Sequence, residues 1–293
     1  MLQIANYLRP VSTREAAAIL ASMCDARAMA GGTDLLVAAR EKGLPLKAVV
    51  DLKAIPAMAH IQGSRTTGIR IGALTTLHEI ERSAVLAAGL PHLVEAASLV
   101  GSYQIRNRAT LGGNLCNASP AAETACPLLT TGAVVTLEGC QGKRVLPLNE
   151  FFTGPGQSAL ARGELLIEVS CPALDGPGVG YGSAYIKLGL RRAMDIAVVN
   201  AAAMVGMREG RFAEARLALG SVAPTPVRLT DLEAELIGRE PDENLILAIA
   251  RRARSLVRPI TDVRASAWYR SEMVREILAQ ALRLAVRRAL NHG

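Results

Sequence analysis

Two short stretches carry a glycine pair followed by small polar residues: Ala30-Gly31-Gly32-Thr33-Asp34-Leu35-Leu36, and Ala109-Thr110-Leu111-Gly112-Gly113-Asn114-Leu115-Cys116-Asn117-Ala118-Ser119-Pro120. Glycine lacks Cβ, so it can take positive φ and let an anionic group approach backbone N–H groups closely. In the first stretch Thr33 adds a hydroxyl. A helix opening at Thr33 or Asp34 would add unpaired N–H donors and a positive dipole end. Read alone, this stretch is equally an ordinary Thr-capped turn from strand to helix. In the second, Asn114, Asn117 and Ser119 can hydrogen-bond phosphate or sugar-alcohol oxygens without adding bulk. The preceding Gln104-Ile105-Arg106-Asn107-Arg108 is cationic and suits a diphosphate. Neither stretch spells GxGxxG or GxxxxGK[ST], so neither a Rossmann nor a P-loop site is indicated. Two diglycine loops about eighty residues apart suit a dinucleotide cradled between two lobes.

Other chemistry is sparse. Cys24, Cys116, Cys126, Cys140 and Cys171 are scattered and show no spacing that holds zinc or an iron–sulfur cluster, so they read as reduced, mostly buried thiols. His60, His78, His92 and His292 have no partner motif and read as structural or solvated. No nucleophile–base pair stands out. The net charge of +7 is carried by the stretch from Arg251 onward, where ten arginines face Asp262, Glu272 and Glu276. That stretch is either a solvated helix face or a docking surface for an acidic partner. Aromatics are only 3% of the chain and no helix-turn-helix or finger pattern appears, which argues against nucleic acid.

The elements that must position the loops can be read from pattern. Thr13 caps a helix beginning at Arg14; Ala28-Met29-Ala30 is a short strand ending at the first loop. Strands follow at Val49–Leu52 and Ile69–Gly72, then helices near Leu77–Arg82 and Pro91–Val100. This alternation suggests small α+β lobes and not a regular βαβ series. Val134–Leu137 and Arg144–Leu146 form a hairpin, and Leu165–Val169 is another strand. The Pro/Gly-rich Pro172–Gly178 marks a boundary between units at 1–175 and 179–293. Beyond it, strands at Tyr181–Leu188, Ile196–Met207 and Ala215–Gly220 precede helices starting near Thr230, Glu243 and Ser266, a small antiparallel sheet backed by helices. No apolar run is long enough to cross a bilayer, and Met1–Tyr7 lacks a secretory pattern, so the cytoplasm is the expected compartment.

The two glycine stretches together closely resemble the FAD-binding medium subunits of the molybdenum hydroxylases, the family of xanthine dehydrogenase and carbon monoxide dehydrogenase. The resemblance spans nearly the whole chain, including Leu8-Arg9-Pro10, Arg191–Ala197 and Ala265–Arg270. It implies an α+β fold: a two-lobed FAD-binding domain of the vanillyl-alcohol-oxidase (PCMH) type and a smaller C-terminal domain. It places Ala30, Gly31, Gly32, Thr33, Asp34, Leu35, Gly101, Thr110, Leu111, Gly112, Gly113, Asn114 and Glu123 on FAD-contacting positions. Leu166 matches a residue packing on the flavin, and Lys187 a basic contact to it or else a surface lysine at a strand end. Asp195 and Ile196 fall in a loop on the side where the electron acceptor arrives; Arg191 and Arg192 are either an anion-attracting or a solvated pair. Relatives commonly have aspartate where Glu123 stands. The first loop holds no histidine, so FAD is expected to be non-covalent.

The implied function is electron transfer. The chain would take electrons from [2Fe-2S] clusters of a small partner subunit, hold them on FAD, and deliver them to NAD or another acceptor. A large subunit with a molybdenum cofactor would perform the hydroxylation, in a dimer of such heterotrimers. Two alternatives are a self-contained FAD-dependent reductase or oxidase, and a scaffold that has lost its flavin. The intact glycines of both loops argue against the second.

Overall fold

The computed structural model describes residues 4–174, 176–191 and 193–291, so Asp175, Arg192 and His292 lie outside the described residues. The first lobe runs β1 (Asn6–Leu8), α1 (Thr13–Ser22), β2 (Ala26–Met29), α2 (Leu35–Glu41) and β3 (Ala48–Asp51). Its sheet has the order β1-β3-β2 and is wholly parallel. The irregular α+β lobe expected from the alternation is therefore, here, a small parallel βαβ unit. Ser12, not Thr13, caps α1: its backbone is extended and its Oγ accepts from the Glu15 amide at 3.2 Å, whereas Thr13 is already helical. The first loop joins β2 to α2.

The second lobe comprises β4 (Ile61–Ser64), β5 (Gly68–Gly72), α3 (Leu77–Arg82), α4 (Ala84–Gly89), α5 (Pro91–Ser98), α6 (Tyr103–Arg106), α7 (Leu111–Cys116), α8 (Ala125–Thr131), β6 (Val134–Gly139), β7 (Gly142–Pro147), α9 (Leu148–Phe151), β8 (Phe152–Gly154), β9 (Gln157–Ser158) and β10 (Leu165–Cys171). Its main sheet is antiparallel in the order β4-β5-β10-β6-β7. The second glycine loop begins α7, and Thr110 is its cap.

The C-terminal unit has strands β11 (Gly180–Leu188), β12 (Val199–Arg208), β13 (Arg211–Gly220) and β14 (Val227–Arg228), antiparallel in that order, followed by α10 (Thr230–Leu236), α11 (Glu243–Ala253) and α12 (Ala267–Asn291). β12 starts three residues later than its apolar run, because Ile196 is 48% exposed on a loop. β13 starts earlier than its apolar run. Glu209 and Gly210 both have positive φ, the signature of a tight hairpin turn, and they carry the pairing out through Arg211.

The unbroken burial of β12 follows from period-two alternation. Ala201, Ala203, Val205 and Met207 face the core formed with α11 and α12. Ala202 and Met204, with Tyr185 and Ala218, join the core of the FAD-binding lobes. Helix α12 lies so close to β11 that a Cβ on Gly182 would overlap the Ala285 carbonyl. Seven of the ten arginines at this end are paired with carboxylates among the described residues. Arg252, Arg254, Arg264, Arg270, Arg275, Arg283 and Arg288 pair with Glu235, Glu272, Asp262, Asp262, Glu276, Glu243 and Glu95.

A polar seam joins α5 to β11. Residues one helical turn apart on α5 meet residues two apart on β11, because each series lines one face of its element. His92 Nδ1 accepts from the Ser183 hydroxyl at 3.0 Å, and its Nε2 donates to the Pro127 carbonyl at 3.2 Å. Glu95 accepts from the Tyr185 amide at 2.9 Å, and the Leu99 carbonyl from Lys187 at 3.0 Å. Burial holds the His92 pKa down to about 4, with Arg288 adding to the effect against the Pro127 carbonyl. The folded ring stays neutral while the unfolded ring takes a proton below its ordinary value near 6.5. Stability is thus fully present above about pH 6.5 and falls between there and pH 4, by about 3 kcal/mol in total. We expect His92→Gln to remove that component. Urea melts at pH 7.5 and pH 5 should show about 2 kcal/mol less pH dependence in the variant than in the parent chain.

Candidate functional site

The first loop is fixed at its root by a buried carboxylate. Asp51, at the end of β3, pairs with Lys53 at 2.5 Å, lies 3.8 Å from Arg9 and accepts from the Tyr7 hydroxyl. Burial alone would raise its pKa, but the Lys53 and Tyr7 hydrogen bonds outweigh it and hold the carboxyl below its ordinary value. Lys53 in turn donates to the Ala30 carbonyl at 3.2 Å, so the ion pair grips the loop directly. Gly32 takes φ of +76°, which turns the chain into α2. Among the described residues, the N–H groups of Gly32, Thr33, Asp34 and Leu35 have no acceptor, and Asp34 makes no side-chain cap. Four adjacent N–H donors without acceptors at a helix start are chemically suited to an anion.

The second loop is built differently. Its backbone is stitched to the turn after β5: Leu77 N donates to Ala109 O at 2.9 Å, Leu111 N to Thr75 O at 3.0 Å, and Gly112 N to Ala73 O at 2.8 Å. The Gly113 amide donates to Thr110 Oγ1 at 3.1 Å. The first donors of α7 are therefore spent inside the protein. The two glycines divide the work. A Cβ on Gly112 would come within 2.7 Å of Ala73 Cβ, so its bareness allows packing. A Cβ on Gly113 would meet only Thr110 Oγ1, at 3.0 Å, so its bare side faces open space. Asn114 accepts from the Thr124 hydroxyl at 2.6 Å through Oδ1, which fixes its amide orientation.

Between the loops runs a cleft of about 610 Å³. Of the residues expected at the site, Ala30, Gly31, Gly32, Thr33, Asp34, Leu35, Gly101, Thr110, Gly113, Asn114, Glu123, Asp195 and Ile196 line it. Leu111, Gly112, Leu166 and Lys187 do not. Leu111 and Leu166 are core residues of the lobes, and Lys187 lies behind Glu123. Sequence reasoning missed Met29, Cys116 and Met194 as lining, and took Ile105 only as part of a cationic run. Burial pushes the Cys116 thiol up to about 12, so it stays neutral.

Two carboxylates face the cleft from opposite lobes. Desolvation raises the pKa of Asp34. It also raises that of Glu123, where Lys187 at 2.8 Å opposes the shift and Asp34 adds to it. A carboxylate on each lobe and free N–H donors on the first loop suit a ligand with hydroxyls along its length and an anionic centre. Among the described residues, no three His, Cys, Asp or Glu side chains are placed to hold a metal ion, and no helix is long and apolar enough to cross a membrane.

Comparison with known proteins finds relatives along nearly the whole chain. Residues 2–174 match the model of the FAD binding domain in molybdopterin dehydrogenase, and residues 184–285 that of the CO dehydrogenase flavoprotein C-terminal domain. The chain is 32% identical over 286 residues to the xanthine dehydrogenase FAD-binding subunit of Escherichia coli O157:H7, covering 98% of this chain and 97% of that one. It is 32% identical over 287 residues to the carbon monoxide dehydrogenase medium chain of Afipia carboxidovorans, covering 98% of each. A solved structure of carbon monoxide dehydrogenase from Hydrogenophaga pseudoflava superposes with a TM-score of 0.93 at 31% identity, over 98% of this chain and 99% of that chain.

Proposed function

The chain belongs to the FAD-binding medium subunits of the molybdenum hydroxylases, and on that premise we propose that it passes electrons from a partner's iron–sulfur clusters through FAD to NAD or another acceptor. The observation that carries this is the cleft itself. Four unsatisfied N–H donors of the first loop and the bare side of Gly113 border one cleft, whose volume is in the range of cofactor sites. The residues present fit FAD. Gly32 to Leu35 would hold the diphosphate on their amides. Glu123 and Asp34 would accept from hydroxyls of the sugar-alcohol and ribose portions. Bound FAD supplies the exchange between one- and two-electron steps; the protein orients it and sets its surroundings.

The partners in this reading are a small iron–sulfur subunit and a large molybdopterin subunit, assembled as a dimer of heterotrimers in the cytoplasm. Several relatives are named as medium chains or FAD-binding subunits, which supports a multi-subunit assembly. The flavin is non-covalent in this reading, since the first loop offers no histidine to carry it. We expect the purified protein to release about one FAD per chain on acid or heat treatment, and affinity purification from the host to recover both partners. Yellow colour that stays with denatured protein would refute the first expectation. A lone chain with full turnover would favour a self-contained flavoenzyme.

A further inference from the structure

Lys187 sits near the end of β11 with only 7% of its side chain exposed. Its ammonium has three N–H donors, and the structure gives it three acceptors: Glu123 Oε1 at 2.8 Å, the Asp195 carbonyl at 2.7 Å and the Leu99 carbonyl at 3.0 Å. These belong to three walls of the cleft. Glu123 precedes α8, Leu99 opens the turn that leads to Gly101, and Asp195 lies on the loop between β11 and β12.

Among its described residues, that loop has little else to hold it. The last ladder pair is Leu188 with Val199, and the Val198 amide closes on the Leu188 carbonyl at 2.8 Å. Beyond that point its described contacts are internal: the Asp195 carboxylate accepts from the Leu190 and Arg191 amides, and Arg191 Nη2 donates to the Met194 carbonyl at 2.5 Å. Leu190, Met194 and Ile196 are 64%, 58% and 48% exposed, so apolar packing does not seat the loop. Met194 has φ of +53°, a left-handed backbone that a residue with a side chain keeps only where its surroundings impose it. The next residue's carbonyl is the one Lys187 grips.

We propose that Lys187 is a positioning residue that clamps the Met194–Ile196 segment against the FAD-binding lobes, so that Met194 and Ile196 form the outer wall of the cleft. This rests on the reading that the cleft holds FAD. Losing two charge-assisted bonds to the loop and the Leu99 turn should free that wall, and FAD would then leave faster.

The test uses the full chain in three forms: Lys187→Met, Glu123→Gln, and both together. The double variant removes both buried charges, which keeps the comparison open if an unpaired Glu123 impairs folding of the single variant. The readouts are the rate of trypsin cleavage at Arg191, the rate of FAD release followed by flavin fluorescence, and the melting temperature. Both Lys187 variants should be cleaved about tenfold faster and release FAD about tenfold faster. Glu123→Gln alone should keep parental cleavage, because the bonds to Leu99 and Asp195 remain. A folded double variant with parental rates of cleavage and release overturns the clamp; so does Glu123→Gln if it reproduces both effects. Absence of FAD from the parent chain would instead sink the functional reading, while the cleavage comparison would still decide on the clamp.

Discussion

Gly31→Ala, the smallest substitution available, should cost the protein about a hundredfold or more in FAD affinity. The added methyl would overlap the carbonyl of Arg108 and come within 2.9 Å of the Ala109 amide. Those are backbone atoms and cannot swing aside as a side chain can. The segment they belong to is also pinned to the turn after β5 through Ala109, Leu111 and Gly112. The first loop must therefore move instead, taking its unsatisfied donors away from the second. Forced overpacking of this kind costs about 1–3 kcal/mol, so the ligand-free protein should melt earlier as well. Titration of FAD into ligand-free protein, with parallel melts, measures both. Parental affinity in this variant would mean that the two loops do not build one site.

Gly113→Val should separate the two effects. Its backbone is helical, so valine meets no positive φ there; a strained backbone at this position, a natural expectation for a glycine pair, is not what the structure holds. The side chain would press on Thr110 Oγ1 and weaken the α7 cap. Replacing glycine within a helix offsets much of that, and the ligand-free fold should stay within about 1 kcal/mol of the parent. The isopropyl group would nevertheless project into the cleft, and FAD affinity should fall by more than about a hundredfold. Circular dichroism and flavin content, measured on the same preparation, decide it. A folded variant that binds FAD normally would show that the second loop does not face the ligand.

The contrast between these glycines shows where sequence reading reached and where it stopped. The two pairs stood out only together, because a Gly-rich turn by itself is common. Their separate tasks were not legible. Gly31 abuts Arg108, more than seventy residues away in the chain, and only the fold brings the two together. The helices from Thr230 onward were readable from period and capping, because local contacts decide them. The parallel first lobe was not, since pairing order is a long-range property. Lys187 was noticed, as a basic contact to the flavin or else a surface lysine at a strand end. That all three of its donors are engaged within the protein depends on Leu99 and Glu123, which no local pattern ties to it. The arginine-rich end looked like a charged surface because some of its acidic partners lie outside the stretch, at Glu235, Glu243 and, far along the chain, Glu95.

The sheet β11–β14 has no free face. One side packs under α11 and α12, and the other completes the core of the FAD-binding lobes through Tyr185, Ala202, Met204 and Ala218. The two regions that can be told apart as stretches of sequence thus share one continuous interior through this sheet. Separating them would strip a wall from both, leaving the even-numbered residues of β12 in water on one piece and the lobe interior open on the other. Fragments produced alone would be prone to aggregate.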